Sequence, residues 1–214
     1  MAVIASLLLW LLGCSGARPE VLQSDGTLFL VDDLESGQRY ESIRLFVAVN
    51  DENGVDDIGV VYVDHADQEL YWEFDASTWV QFEFAGDTWI GMPDMRMPHG
   101  DAVPRGRYRV IVEDLALQRT EGQFSVTADP VDLDGLVFPR LVTSPRLEVV
   151  ASRPVVLRVY TRSGQMPVNG RMDPGPVPAD LLEQLPDESG LIAYLTMDGE
   201  DGAKLISGPY DVPR

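Results

Sequence analysis

The chain has 214 residues, 45% hydrophobic and 24% charged, which supplies enough apolar surface for a sizeable core and excludes a disordered polyelectrolyte. Its 35 acidic residues against 16 basic ones give a formal net charge of -19. Such a surface repels phosphate backbones and anionic lipid, so nucleic acid is set aside as a partner and the charge is read first as a solubility device. One cysteine, Cys14, excludes a disulfide within the chain.

The first element is an apolar run, Ala2-Val3-Ile4-Ala5-Ser6-Leu7-Leu8-Leu9-Trp10-Leu11-Leu12, followed by Gly13-Cys14-Ser15. A membrane-crossing helix needs about 20 apolar residues, so this run is too short to span. It has the length of the hydrophobic region of a secretory signal. Leu11-Leu12-Gly13-Cys14 resembles the lipobox of bacterial lipoproteins. The resemblance implies a signal peptide over residues 1–13, acylation of Cys14, and a membrane-lipid partner held through that residue. Two or more acyl chains, at about 0.8 kcal/mol per buried methylene, anchor where one would not. Ser15 implies, by the same resemblance, the outer membrane or cell surface rather than retention at the inner membrane, and in either case an envelope location.

Residues 14–24 read as a polar, Pro-containing tether. Residues 27–31, Thr-Leu-Phe-Leu-Val, are the first strand candidate, turned by residues 32–38. Strands over 43–49 and 58–63 follow, and in the first of them Ile43, Leu45, Val47 and Val49 share one face. Residues 69–74 and 79–84 are two aromatic strands, and Ala85-Gly86-Asp87 signals a hairpin turn back into residues 88–91. Residues 92–104 carry three prolines without period and read as a loop. A last pair, over 104–114 and 122–126, closes the first half.

Gly106-Arg107-Tyr108-Arg109-Val110 after a Pro-Arg-Gly turn resembles the tyrosine corner of immunoglobulin-like and fibronectin type III domains, and the Asp51-Glu52-Asn53-Gly54-Val55 turn resembles those of bacterial immunoglobulin-like modules. This implies an all-β chain, with an immunoglobulin-like β-sandwich over residues 25–128. Thr127-Ala128-Asp129-Pro130 marks a boundary, and residues 129–214 are expected as a smaller β-rich domain. Within it, strands are expected over 146–150, 155–160, 191–197 and 203–207, a loop over 166–178 and a short helix over 179–185 ended by Pro186. At about 85 residues without a disulfide this half is marginal alone.

Four constellations could carry chemistry. No Gly-x-Ser-x-Gly turn occurs, and His65 and His99 are the only histidines, so a His-activated nucleophile is not indicated and no cofactor is expected. Met92, Met95, Met97 and His99 offer soft ligands that suit Cu(I), although methionines commonly fill irregular gaps. Asp51, Asn53, Asp56 and Asp57 crowd one turn, and Asp198, Glu200 and Asp201 another, as oxygen ligands for Ca²⁺ do; a solvated acidic turn is the plainer reading. Trp72, Trp79 and Trp89 fall on three neighbouring strands, as a core set or as an exposed binding face for a protein or a glycan. The reading that follows is a non-enzymatic envelope lipoprotein that binds another envelope protein. A carbohydrate-binding module using the tryptophan strands is the alternative, and calcium or copper binding a third.

Overall fold

A computed structural model describes residues 17–213. Cys14 and the signal-peptide expectation lie outside the described residues. The chain is all-β: β1 (Glu20–Asp33), β2 (Gln38–Asn50), β3 (Ile58–His65), β4 (Tyr71–Asp75), β5 (Val80–Phe84), β6 (Asp87–Arg96), β7 (Gly106–Asp114), β8 (Arg119–Val126), β9 (Arg140–Val142), β10 (Glu148–Val150), β11 (Val155–Tyr160), β12 (Val168–Met172), β13 (Gly175–Pro176), α1 (Ala179–Leu182), β14 (Leu191–Asp198) and β15 (Lys204–Val212). No helix among the described residues is long and apolar enough to cross a membrane.

Two compact units interleave along the sequence. The first takes the described residues up to Asp25, with Phe46–Met92 and Arg107–Phe124; the second takes Gly26–Leu45, Pro93–Gly106 and Ser125–Arg214.

The first unit contains an antiparallel sheet in the order β4-β3-β7-β8. Its strands form because β-branched residues recur every second position, and the register stacks them: Val61 opposite Phe74 and Val112, Val63 opposite Trp72 and Val110, His65 opposite Tyr108. Val61, Val63, Tyr108, Val110 and Val112 are wholly buried, each worth about 1.5–3 kcal/mol of apolar burial. Tyr108 stacks on Phe124 with ring centroids 4.9 Å apart, and the His65 ring meets it edge-on at 4.7 Å. On the outward side Arg109 pairs with Asp64 at 2.5 Å. The β5–β6 hairpin closes through Ala85 and Gly86, both with positive φ (57° and 95°), which is the backbone a two-residue turn between twisted strands requires.

A second sheet, of eight strands, has the order β12-β11-β14-β15-β1-β2-β6-β5, and its strands β12, β11, β14 and β15 belong wholly to the second unit. Val155, Leu157 and Val159 alternate inward on β11, and Leu191, Ala193, Leu195 and Met197 do so on β14. β15 pairs parallel to β1, Phe29 opposite Lys204 and Val31 opposite Ile206. A separate three-stranded sheet has the order β13-β10-β9. Glu41, 3% exposed, forms a two-pronged pair with Arg105 at 2.6 and 2.7 Å and also accepts the Val103 amide at 2.8 Å. Arg105 Nε in turn donates to the Ala128 carbonyl at 2.7 Å, so the buried charge is paired and hydrogen-bonded.

Several elements differ from the sequence expectation. Residues 20–24, expected as part of the tether, are the opening of β1, which runs unbroken through Asp25 and Gly26 to Asp33. The expected loop 92–104 begins as the continuation of β6 to Arg96. Pro93 is tolerated there because β5 stops pairing at Gly91, leaving that margin of β6 without a ladder partner for the missing N–H. The expected loop 166–178 holds β12 and β13, and the helix ends at Leu182 rather than 185. The two units do not divide the chain at residue 128: the second recruits residues 26–45 and 93–106 from the half read as a separate sandwich.

Candidate functional site

The three tryptophans do not form a row. Trp72 lies on β4, in the four-stranded sheet, half-buried, its ring 6.1 Å from Tyr108. Trp79 is half-buried in the connection before β5, and Trp89 on β6 is 7% exposed beneath Phe82, whose ring stacks on it at 6.3 Å. The expectation of a tryptophan binding face is therefore corrected: β4 and β6 belong to different sheets, and the strand faces that carry aromatics point to different surroundings.

The exposed aromatics are others. All five residues of β5 are exposed, and β5 is the last strand in its sheet order, with β6 as its one partner. Val80, Phe82 and Phe84 alternate onto one face, Phe84 being 65% exposed, and Phe46 meets Phe82 edge-on at 5.0 Å. Gln81 and Glu83 take the other face, where Glu83 accepts a hydrogen bond from the Thr88 hydroxyl at 2.7 Å. The alternation was visible in the sequence; what was not visible is that the strand has no neighbour beyond it.

The methionine run is not gathered either. Met95 is 2% exposed in the core, Met92 and Met97 are half-buried, and His99 is exposed in a three-residue 3-10 turn with φ 61°. Met92 and Met95 are three positions apart on one strand, which turns their side chains to opposite faces, so the soft-ligand set is corrected to packing. His65 is buried, its Nδ1 accepting the Asp67 amide at 3.2 Å, which gives it a turn-holding role.

The acidic turns fare differently. Asp198 pairs with Lys204 at 2.6 Å, which pulls its carboxyl below the ordinary range, and Glu200 lies 3.5 Å from Arg153. That turn carries its own counter-charges. In the other, Asp51 and Asp57 stand with Asp114, at the end of β7, so that a carboxylate oxygen from each lies within 4.8 Å of the other two. Asp56 and Asn53 are exposed and outside this trio, although Asn53 donates its backbone N–H to Asp51 Oδ1 at 2.7 Å and its side-chain amide to Asp57 Oδ2 at 3.2 Å. Sequence reasoning found two of the three carboxylates. Asp114 is 57 residues beyond Asp57 and reads as an ordinary strand-end residue, with no local signal to connect it.

No protein-family model matches the chain, and no curated protein matches it. Among solved structures, dimeric latent PorU from Porphyromonas gingivalis is similar with a TM-score of 0.35 at 15% sequence identity. The likeness covers 92% of this chain and 21% of that one, so the chain spans about a fifth of that protein's length. What fold and site together define is an all-β protein with an open apolar strand and a carboxylate trio.

Proposed function

We propose that the chain is a non-enzymatic envelope lipoprotein, anchored through acylated Cys14, whose immunoglobulin-like sandwich binds an extended segment of another protein along β5. The observation that carries this reading is β5 itself, a terminal strand with every residue exposed and Val80, Phe82 and Phe84 on one face. An open strand edge presents unpaired backbone donors and acceptors, and alternate side chains supply selectivity when a partner strand adds to it. The charge of -19 opposes pairing between two copies and favours a partner segment flanked by Lys or Arg. A glycan reading is less well supported, because Trp89 is buried, Trp72 and Trp79 are half-buried, and the strands of Trp72 and Trp89 belong to different sheets.

The test places a photo-crosslinking residue at position 84 of the full-length protein in intact cells, with position 117, an exposed leucine outside the strands, as control. Position 84 is expected to give one discrete heterologous adduct and position 117 none. Val80→Lys combined with a crosslinker at 84 should abolish the adduct while leaving the stability read from urea unfolding within about 0.5 kcal/mol. Cys14→Ala should release the protein from the membrane fraction and weaken the same adduct. A homodimer adduct, or none, defeats the binding reading; membrane retention of the Cys14→Ala protein at mature size defeats the anchoring.

A further inference from the structure

We infer that Asp51, Asp57 and Asp114 form a calcium site that ties the β2–β3 connection to the turn between β7 and β8. This goes beyond the partner-binding reading and does not depend on it. Three acidic side chains in proximity are common on a chain this acidic, and proximity alone would mean nothing. Two further features distinguish this trio. Asp114 is 1% exposed, and its Oδ2 is buried without a hydrogen-bond partner among the described residues. Asp51 Oδ2, from the opposite loop, is buried and unpartnered in the same way.

An ionised oxygen taken out of water and given no donor is among the least favourable arrangements in a folded protein, and it is normally relieved by a pairing charge or a metal. No Lys or Arg supplies one, since none of the ion pairs among the described residues reaches these three carboxylates.

The remaining oxygens are held as ligand carboxylates are held elsewhere, with one oxygen positioned by a donor and the other left for the ion. Asp114 Oδ1 accepts the Gln118 amide at 2.7 Å, and Asp51 Oδ1 accepts the Asn53 amide at 2.7 Å. Asp57 is braced by the Asn53 side chain at 3.2 Å. The backbone fixes the same geometry: the Leu115 amide donates to the Asp57 carbonyl at 2.8 Å, joining the two loops, and the Gly54 amide donates to the Asp51 carbonyl at 3.0 Å. Gly54 sits at φ 92°, a backbone that a glycine adopts without strain.

The donor set is all carboxylate oxygen, which selects a hard cation over zinc or copper. Oxygens bound to one ion lie no farther apart than twice the metal–oxygen distance, roughly 5 Å for calcium and roughly 4 Å for magnesium. The trio lies within 4.8 Å of one another, inside the span calcium allows, and calcium's six to eight flexibly placed oxygens accept three unequal carboxylates more readily than the near-ideal octahedron magnesium demands. Asp51 and Asp57 are only half-buried, so water can complete the six to eight oxygens that calcium takes. With three protein carboxylates and solvent for the rest, the affinity belongs in the weak range of extracellular modules, roughly 0.1–1 mM.

The test is thermal unfolding of the full-length protein, stripped with EDTA and returned to 150 mM NaCl, with added CaCl₂ or MgCl₂. Calcium is expected to raise Tm by about 5 °C at 10 mM, rising with the logarithm of concentration above Kd, and magnesium to raise it far less at equal concentration. Asp114→Asn, which keeps the shape and removes the charge, should abolish the calcium-dependent rise and melt in EDTA no lower than the unaltered protein. A lower EDTA melt would mean that Asp114 serves the fold rather than an ion. Should that variant fail to fold, Asp57→Asn on the half-exposed loop carries the same expectation. Asp198→Asn, in the turn already neutralised by Lys204, should leave the calcium response intact. No calcium response, an equal response to magnesium, or a response retained when Asp57 or Asp114 is replaced would each overturn the assignment.

Discussion

Tyr40 shows how burial and an acidic surrounding act on one side chain. It is buried on β2, with the Arg96 guanidinium 3.8 Å over its ring and Asp94 held by that same arginine at 2.5 Å. Burial, reinforced by the Asp94 charge, pushes its hydroxyl up from 10.0 to about 12. Tyr194 and Tyr210, in the same unit, are also raised, chiefly by burial. A phenol that holds its proton more tightly when folded contributes stability that is complete below pH 10, where the unfolded tyrosine still keeps its proton. That contribution drains as the pH climbs through the folded value. The urea midpoint is therefore expected to fall between pH 10 and about 12, and Tyr40→Phe should flatten that fall while changing little at neutral pH. Identical alkaline profiles for the two proteins would show that the unfolding is set elsewhere. At this same scale the candidate cation site was only partly legible. Asp51 and Asp57 announce themselves by crowding in one turn, whereas the residue that makes the trio unusual, Asp114, does so only through burial and an orphaned oxygen. Neither property can be read from a letter in a strand-end sequence.

At the scale of elements, periodicity was a sound guide wherever one face of a strand is buried and a poor one wherever a strand carries an interruption. Residues 43–49 and 155–160 alternate cleanly and appear as β2 and β11, because every second side chain reaches the core. β1 starts at Glu20 and runs through Gly26, ahead of the strand expected at 27–31, and β6 runs on past Pro93, a residue that punctuates turns in general but here sits where β5 no longer pairs. Gly208 is the opposite case, a glycine that the sheet does need. It lies in β15 at φ 140°, beside the register shift between Ala193 and Leu195 on β14. A Cβ there would come 2.8 Å from the Ala193 carbonyl oxygen and 2.8 Å from the Tyr194 ring. The carbonyl is backbone and cannot swing aside, so Gly208→Ala should destabilise the protein by about 1–3 kcal/mol in urea titration. Gly164→Ala is the control, since φ there is 83° and the added methyl meets nothing within 4 Å. Its cost should be confined to the backbone preference, about 1 kcal/mol. Equal losses at the two positions would mean that crowding at the bulge is not what fixes Gly208.

The whole molecule is where sequence order misleads most. A polar, Pro-containing stretch near residue 128 has the composition of a linker, and residues beyond it carry enough apolar strand to suggest a domain. Yet the second unit draws on residues 26–45 and 93–106 as well as 125–214, and the contact responsible is one that local pattern cannot reveal. β15 pairs in parallel with β1, Phe29 to Asp33 lying alongside Lys204 to Gly208, across 170 residues of intervening chain. A parallel pairing of two chain-distant strands leaves no hairpin turn to betray it. The consequence is physical as well as topological. A fragment of residues 129–214 would keep β11, β14 and β15 but expose the margin of β15 that β1 occupies, together with Leu205, which is buried in the intact chain. It would bury too little apolar surface to offset the entropy of ordering about 85 residues. The fragment is therefore expected to show a collapsed amide proton spectrum and no cooperative thermal transition. Residues 17–213, expressed whole, should give dispersed amides and a sharp melt. Supplying a peptide of residues 26–45 to the fragment adds back β1 and its neighbour from the same unit, and should shift it measurably toward strand content by circular dichroism. A fragment that is already dispersed and cooperative by itself would show that the pairing with β1 decorates an independent domain instead of completing it.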